Sequence, residues 1–196
     1  MKEDLYKVYL DNIEKGKTAI KKEYVKKGYF SYYTEKEISN YSNSKRIYID
    51  GVNACFDDFI NKTIYELDND VKNDRVLLLG KISKRYSENI LNININRLNL
   101  LNYNISIGTD EIRHALKKHS LENEKERGQI PIDINDIKLI PELLINTELV
   151  FYRGINSEKR EVYNFVSRNN KGKYVLLEFI SRRRNLLGFQ SLYITK

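Results

Sequence analysis

Apolar residues at helical spacing open the chain. Leu5, Tyr9, Ile13, Ile20 and Tyr24 share a stripe through a lysine-rich stretch, which predicts an amphipathic helix over residues 3–27, weakened at Gly16. Residues 28–44 are rich in Tyr, Ser and Asn without a sustained period and read as a loop or linker. A short strand is expected over 46–50, ending at Gly51. Asn53 is then placed to cap the strongest helical pattern of the chain, in which Phe56, Phe59, Ile60, Thr63, Ile64 and Leu67 share one face. Residues 75–79 form a short apolar run closed by Gly80, a buried strand, and 81–91 read as helical. Residues 92–107 fit a strand or a packed loop equally well. Thr109 or Asp110 caps a helix that runs to about His119, residues 122–128 form a charged loop, and 131–146 contain a helix with Leu139, Ile140, Leu143 and Leu144 inward.

From residue 149 the period changes. Residues 149–154, 161–168, 174–181 and 188–195 are runs rich in Val, Ile, Tyr and Phe, and the turn formers of 169–172 join the middle two as a hairpin. The fold class expected is therefore α+β, with N-terminal helices followed by a C-terminal four-stranded antiparallel sheet.

These elements position the candidate chemistry. Strict alternation in the last strand sets Phe189, Ser191, Tyr193 and Thr195 on one face and Gln190, Leu192 and Ile194 on the other. If Leu192 and Ile194 pack on the helices, the Ser191 and Tyr193 hydroxyls point away from them, as phosphate contact requires. A solvent-facing polar row has the same pattern. Ile112, Ala115, Leu116 and His119 fall at i, i+3, i+4 and i+7, so His119 lies at the edge of a packed stripe and at the helix C-terminus, where the helix dipole favours an imidazolium and hence a general acid or phosphate donor. His114 points outward, about 160° round the helix from Ile112. By spacing alone a structural histidine at 119 and a surface one at 114 account for the pattern as well.

Charge sharpens this picture. The net charge is +7, and it is all carried by the last quarter: residues 150–196 hold ten Lys and Arg against three acidic residues, whereas 1–149 hold 24 of each sign. Such a field attracts nucleic acid phosphates or an acidic inhibitor protein, although a solvated lysine-rich surface is its ordinary alternative. Arg127, Arg153, Lys173, Arg182, Arg183 and Arg184 are the candidate nucleic-acid contacts. With 41% hydrophobic and 31% charged residues the chain reads as a globular protein. Cys55, the single cysteine, excludes an internal disulfide and reads as packing. With two histidines and no ligand-like spacing, no metal and no other cofactor are expected. A charged N-terminus and the lack of a long apolar run point to a cytoplasmic protein without a membrane partner. No Walker-type glycine loop or acidic catalytic pair supports a phosphotransferase or ADP-ribosyl transferase.

Leu78-Leu79-Gly80-Lys81-Ile82, Ile112-Arg113-His114-Ala115-Leu116-Lys117-Lys118-His119, Arg127-Gly128-Gln129-Ile130-Pro131-Ile132, Asp136-Ile137 with Ile140-Pro141, and Ser191-Leu192-Tyr193 occur in one order. This series resembles the phage-associated group of the barnase, EndoU, colicin and RelE-like (BECR) nucleases over residues 75–196. It leaves 1–70 as a helical, Tyr-rich N-terminal region of unassigned role. The resemblance implies a metal-independent endoribonuclease of toxin type. It implies catalytic roles for His114 or His119 and for Ser191 and Tyr193, with RNA as the substrate and an acidic inhibitor or immunity protein as a partner class. Ser191 stands where a Thr is common, which preserves the hydroxyl. A non-catalytic binding protein on the same fold, such as a phage-encoded inhibitor of a host defence system, is the alternative.

Overall fold

Gly16 breaks the first helical stripe. Its φ of +67° is left-handed. The chain therefore forms two helices, α1 (Leu5–Glu14) and α2 (Lys22–Lys26), where one weakened helix was expected. The structure is a computed structural model that describes residues 5–42, 55–119, 124 and 126–196. The expected strand over 46–50 and the Asn53 cap lie outside the described residues.

The segment expected to be a loop holds a short strand, β1 (Phe30–Ser31), and a helix, α3 (Glu35–Ser42). Two reciprocal bonds start α3: Thr34 Oγ1 accepts from the Glu37 N–H at 3.4 Å, and Glu37 Oε2 accepts from the Thr34 N–H at 2.7 Å. This is a capping box, whose Thr-x-x-Glu signature outweighs the absence of a long apolar period. Helix α4 (Phe56–Asp68) buries Phe56, Phe59, Ile60 and Thr63 as the periodicity predicts, with partly exposed Cys55 at its N-cap.

Strand β2 (Val76–Ile82) runs through Gly80 instead of ending there. A β-bulge lies between Leu78 and Gly80, and a Cβ at Gly80 would stand 3.1 Å from the Phe30 ring, so glycine admits the aromatic side chain of β1. Helix α5 (Lys84–Ile93) follows, capped by Ser83, whose Oγ accepts from the Tyr86 N–H at 3.2 Å. Strand β3 (Asn104–Gly108) leads directly into α6 (Thr109–Lys118). The helix expected over 131–146 is two short ones, α7 (Ile134–Lys138), capped by Asp133, and α8 (Ile140–Ile145), which begins at the Ile140-Pro141 pair. The four expected strands follow as β4 (Leu149–Ile155), β5 (Glu161–Asn169), β6 (Gly172–Ser181) and β7 (Leu186–Thr195), with a 3-10 turn at Arg182–Arg184.

The sheet is larger than expected. It is a mixed seven-stranded sheet in the order β1-β2-β3-β7-β6-β5-β4, antiparallel except that β3 and β7 run parallel. The antiparallel β4–β7 meander keeps the predicted form; β2 is the buried strand expected at 75–79, β3 falls in the 92–107 segment that fits either a strand or a loop, and β1 comes from the segment expected to be a loop. One face of the sheet and the helices share a continuous core, which joins Tyr9, Ile20, Phe30 and Ile60 of the N-terminal part to Leu77, Ile112, Leu144 and Leu192. The other face carries Val162, Val166, Val175, Leu177 and Phe179, all from strands. Among the described residues no helix is long and apolar enough to cross a membrane.

Candidate functional site

Strand β3 pairs with β7 only from Leu186 to Gly188. Beyond that point α6, the direct continuation of β3, packs against β7 in place of a strand. Its end brings His119 to the strand edge. His119 is the C-cap of α6, its N–H bonded to the Ala115 carbonyl at 3.0 Å. The chain then returns along the same edge, where Ile130 bridges Ile194 antiparallel and its N–H donates to the Ile194 carbonyl at 3.0 Å.

A β-bulge sets what β7 presents there. Leu177 faces Ser191 while the next residue of β6, Glu178, faces Phe189, so Gln190 is the extra residue. Strict alternation fails at this point. Phe189 joins Leu192 and Ile194 in the helix-side core, whereas Ser191 and Tyr193 stay on the opposite face. The expectation that Phe189 shares the hydroxyl face is thereby corrected.

His119 Nε2 lies 3.3 Å from Ser191 Oγ, and His119 Nδ1 lies 2.9 Å from Glu124 Oε1. The Tyr193 ring stacks on the imidazole with centroids 6.1 Å apart and 25° between planes. Arg127 Nη1 is 3.5 Å from Glu124 Oε1. A carboxylate only accepts hydrogen bonds, so Glu124 fixes the proton on Nδ1 and leaves the Nε2 lone pair facing the serine hydroxyl. Burial lowers the His119 pKa from its ordinary 6.5, and the Glu124 carboxylate opposes this only in part. The imidazole is therefore held neutral at pH 7, suited to accept a proton. The helix dipole, expected to favour imidazolium here, is outweighed by desolvation.

His119, Glu124 and Ser191 are 4%, 0% and 6% exposed. Tyr193 is half-buried and the Arg127 side chain is 49% exposed, so these two form the solvent side of the cluster. Sequence reasoning missed Glu124. It sits among charged neighbours in what reads as a solvated loop, although Glu124, Glu126 and Arg127 are helical, and nothing in that run marks one glutamate as buried.

A family model described as phage-Barnase-EndoU-ColicinE5/D-RelE like nuclease3 matches residues 79–196. The chain belongs to that family. The match starts within β2 and includes α6, Glu124 and β7, so all of the cluster lies in the nuclease-family segment. No curated protein and no solved structure matches the chain.

The other candidate residues of this segment are spread around it. His114 is exposed on α6, away from the buried Ile112 and Ala115. Lys173 faces Thr195 across the β6–β7 pair, two residues along from Tyr193. Arg153 is exposed on β4, three strands from β7. Arg182, Arg183 and Arg184 form the exposed turn between β6 and β7, roughly 15 Å along β7 from Ser191. Arg182 is ion-paired there with Glu161 at 2.7 Å. Arg160, Arg168 and Lys171 also have acidic partners, so the positive excess of the last quarter is partly neutralised in place. A cleft of about 420 Å³ lies elsewhere, bounded by Asp133, Asp136, Lys171 and Tyr174. Its lysine is already held 2.5 Å from Asp136, and its acidic lining repels a phosphodiester.

Proposed function

We propose that the chain is a metal-independent endoribonuclease whose catalytic group is the Glu124–His119–Ser191–Tyr193 cluster. The observation that carries this reading is the imidazole held at Nδ1 by a buried carboxylate, with Nε2 turned toward a hydroxyl on the last strand. In the reaction Nε2 takes the proton of the ribose 2′-OH as this oxygen attacks the adjacent phosphorus. The bond to the 5′-oxygen breaks, leaving a 2′,3′-cyclic phosphate. The departing oxygen takes a proton from the imidazolium so formed or from water on the Tyr193 side. The Ser191 and Tyr193 hydroxyls donate to the nonbridging oxygens, and the Arg127 guanidinium balances the charge of the phosphorane. Arg127 thereby takes the electrostatic role, ahead of the more distant Arg182–Arg184 turn. An acidic inhibitor protein is the partner class suited to the same cationic side.

Incubation with total RNA in EDTA is expected to give fragments ending in 2′,3′-cyclic phosphate. Activity that persists in both His119→Ala and Tyr193→Phe overturns the assignment.

A second reading, a non-catalytic binder on this fold, is favoured by one observation: His119 and Ser191 are almost wholly buried. Bacterial expression separates the two. Growth arrest relieved by His119→Ala supports the enzyme, and harmless expression without RNA cleavage supports the binder.

A further inference from the structure

The loop between β4 and β5 reaches over the strand-only face of the sheet and touches β7. Its Arg160 guanidinium lies 4.5 Å from the centre of the Phe179 ring, which belongs to that face, and its Asn156 Nδ2 donates to Gln190 Oε1 at 3.1 Å. Gln190 therefore projects to the strand-only face. It is the extra residue of the β7 bulge, between Phe189 on the helix side and Ser191 on the strand-only side. Consecutive Cα atoms are about 3.8 Å apart, so the Gln190 and Ser191 side chains leave the strand side by side. Tyr193 follows on the same face, so Gln190 and Tyr193 flank the Ser191 hydroxyl. Both flanking residues are partly exposed, whereas Ser191 between them is buried.

The orientation of the Gln190 carboxamide follows from a count of donors and acceptors. Asn156 Oδ1 already accepts the Glu158 N–H at 3.1 Å and the Arg160 N–H at 2.9 Å. The Asn156 N–H donates to the Arg160 carbonyl at 2.9 Å and the Lys159 N–H to the Asn156 carbonyl at 3.0 Å, so the loop is closed on itself around this residue. With Oδ1 committed, Asn156 turns its Nδ2 amide to β7, and the Gln190 atom that meets a donor is the acceptor, Oε1. Gln190 Nε2 then lies on the other side of the carboxamide, with two N–H donors and, among the described residues, no acceptor for them. A surface glutamine is ordinarily solvated on both sides. This one is held by its oxygen alone, next to Ser191.

We infer that Gln190 is a further phosphate donor of the RNA site, its Nε2 bonding a nonbridging oxygen of the phosphate at His119 and Ser191, and that Asn156 is the positioning residue that aims it. The inference rests on the reading of that cluster as an RNA site. In the free protein the Ser191 hydroxyl faces the His119 Nε2 lone pair, which competes for its proton, whereas the Gln190 amide has no competing acceptor. Negative charge grows on the nonbridging oxygens as the 2′-oxygen attacks. A donor already aimed at them is worth more in the transition state than in the bound substrate, so it acts on kcat more than on binding.

The test uses the full chain, single-turnover cleavage of a short mixed-sequence RNA, and binding of the same sequence as 2′-O-methyl RNA, which lacks the attacking hydroxyl. Gln190→Glu keeps the oxygen that accepts from Asn156 and replaces the N–H donors by an anionic oxygen. It is expected to slow cleavage by roughly 10²-fold and to weaken binding. Gln190→Met, which removes the carboxamide, is expected to slow cleavage by roughly tenfold. Asn156→Asp keeps the loop acceptor but turns an oxygen to Gln190, which reverses the carboxamide and takes up its N–H donors. It is expected to lose as much as Gln190→Met, and adding Gln190→Met to it should cost less than about twofold more. Cleavage by both Gln190 variants within about twofold of the wild type, or losses at the two positions that multiply, overturns the inference. Cleavage that His119→Ala abolishes and the Gln190 variants leave unchanged removes the donor and keeps the RNA reading. A wild type that cleaves no RNA removes the nuclease reading, and binding then decides: weaker binding in Gln190→Glu supports the donor, and equal binding overturns it.

Discussion

The Nε2 atom of His119 lies 3.3 Å from the Oγ of Ser191, a contact made across 72 residues of chain. It exists because α6 replaces β3 as the neighbour of β7 and because the Gln190 bulge keeps Ser191 on the strand-only face. Its value as chemistry depends on Glu124, which holds the other imidazole nitrogen.

The two histidines are expected to separate cleanly. His119→Ala should lower kcat/KM for RNA cleavage by roughly 10²–10⁴-fold, the range for a general base, whereas His114→Ala should fall within a few-fold of the wild type. Single-turnover cleavage of a short RNA measures both. An equal loss in His114→Ala places the site elsewhere on α6.

Glu124→Gln is expected to lower kcat by roughly 10²-fold or more, because a carboxamide also donates and no longer fixes the Nδ1–H tautomer. The carboxylate raises the His119 pKa, against a larger lowering by burial. Removing its charge should therefore move the acidic limb of the pH–rate profile, already below 6.5 in the wild type, to still lower pH. A limb that stays in place shows that Glu124 does not act through the imidazole.

The same shift links His119 to stability. Its folded-state pKa is depressed, so the unfolded chain binds more protons just below 6.5. The contribution of neutral His119 is complete above pH 6.5 and is lost as pH falls through the folded-state value. Urea midpoints of His119→Gln are expected to change less with pH over this window than those of the wild type.

Glu178 behaves in the opposite direction. Its carboxyl is fully buried on the helix side of β6, both oxygens lack partners, and desolvation raises its pKa well above 4.5. The folded chain keeps a proton that the unfolded chain releases, so stability falls as pH rises from 4.5 toward the folded-state value. Glu178→Met is expected to be more stable at pH 7, by about 1–3 kcal/mol, and to lose this pH dependence. Chemical denaturation at pH 4.5 and pH 7 checks it, and a destabilised Glu178→Met shows that the acid has a partner in the folded protein.

Glu66 on α4 lies 2.5 Å from Arg75 and 3.7 Å from Arg113 of α6, with Glu66 and Arg75 both buried. Glu66→Ala leaves buried guanidinium charge and is expected to cost about 3–5 kcal/mol. Thermal melting measures this. A loss below about 1 kcal/mol means that water reaches the pair.

Much of the C-terminal half is legible in the residue pattern. The β4–β7 runs were bounded to within a few residues because alternating apolar side chains and the 169–172 turn act locally. The helix ending at His119 was legible from its apolar stripe. By contrast, α3 was hidden in a Tyr- and Ser-rich stretch although its Thr34–Glu37 box was visible, and β1, two residues long, has no periodicity to read. Gly80 signals a strand end in isolation and becomes a seat for Phe30 only when β1 is paired.

The amino-acid sequence by itself determined the α+β class, the terminal meander, the amphipathic stripe that carries His119 to the end of α6, and the family signature. Each depends on near neighbours along the chain, where spacing and side-chain type suffice. The tertiary structure alone decided that β3 joins β7 in parallel, that a bulge turns Phe189 inward and leaves Ser191 outward, and that Glu124 is buried against the imidazole. Strand order, register and burial depend on contacts between residues far apart in the chain, and no local pattern specifies which distant partner a side chain meets.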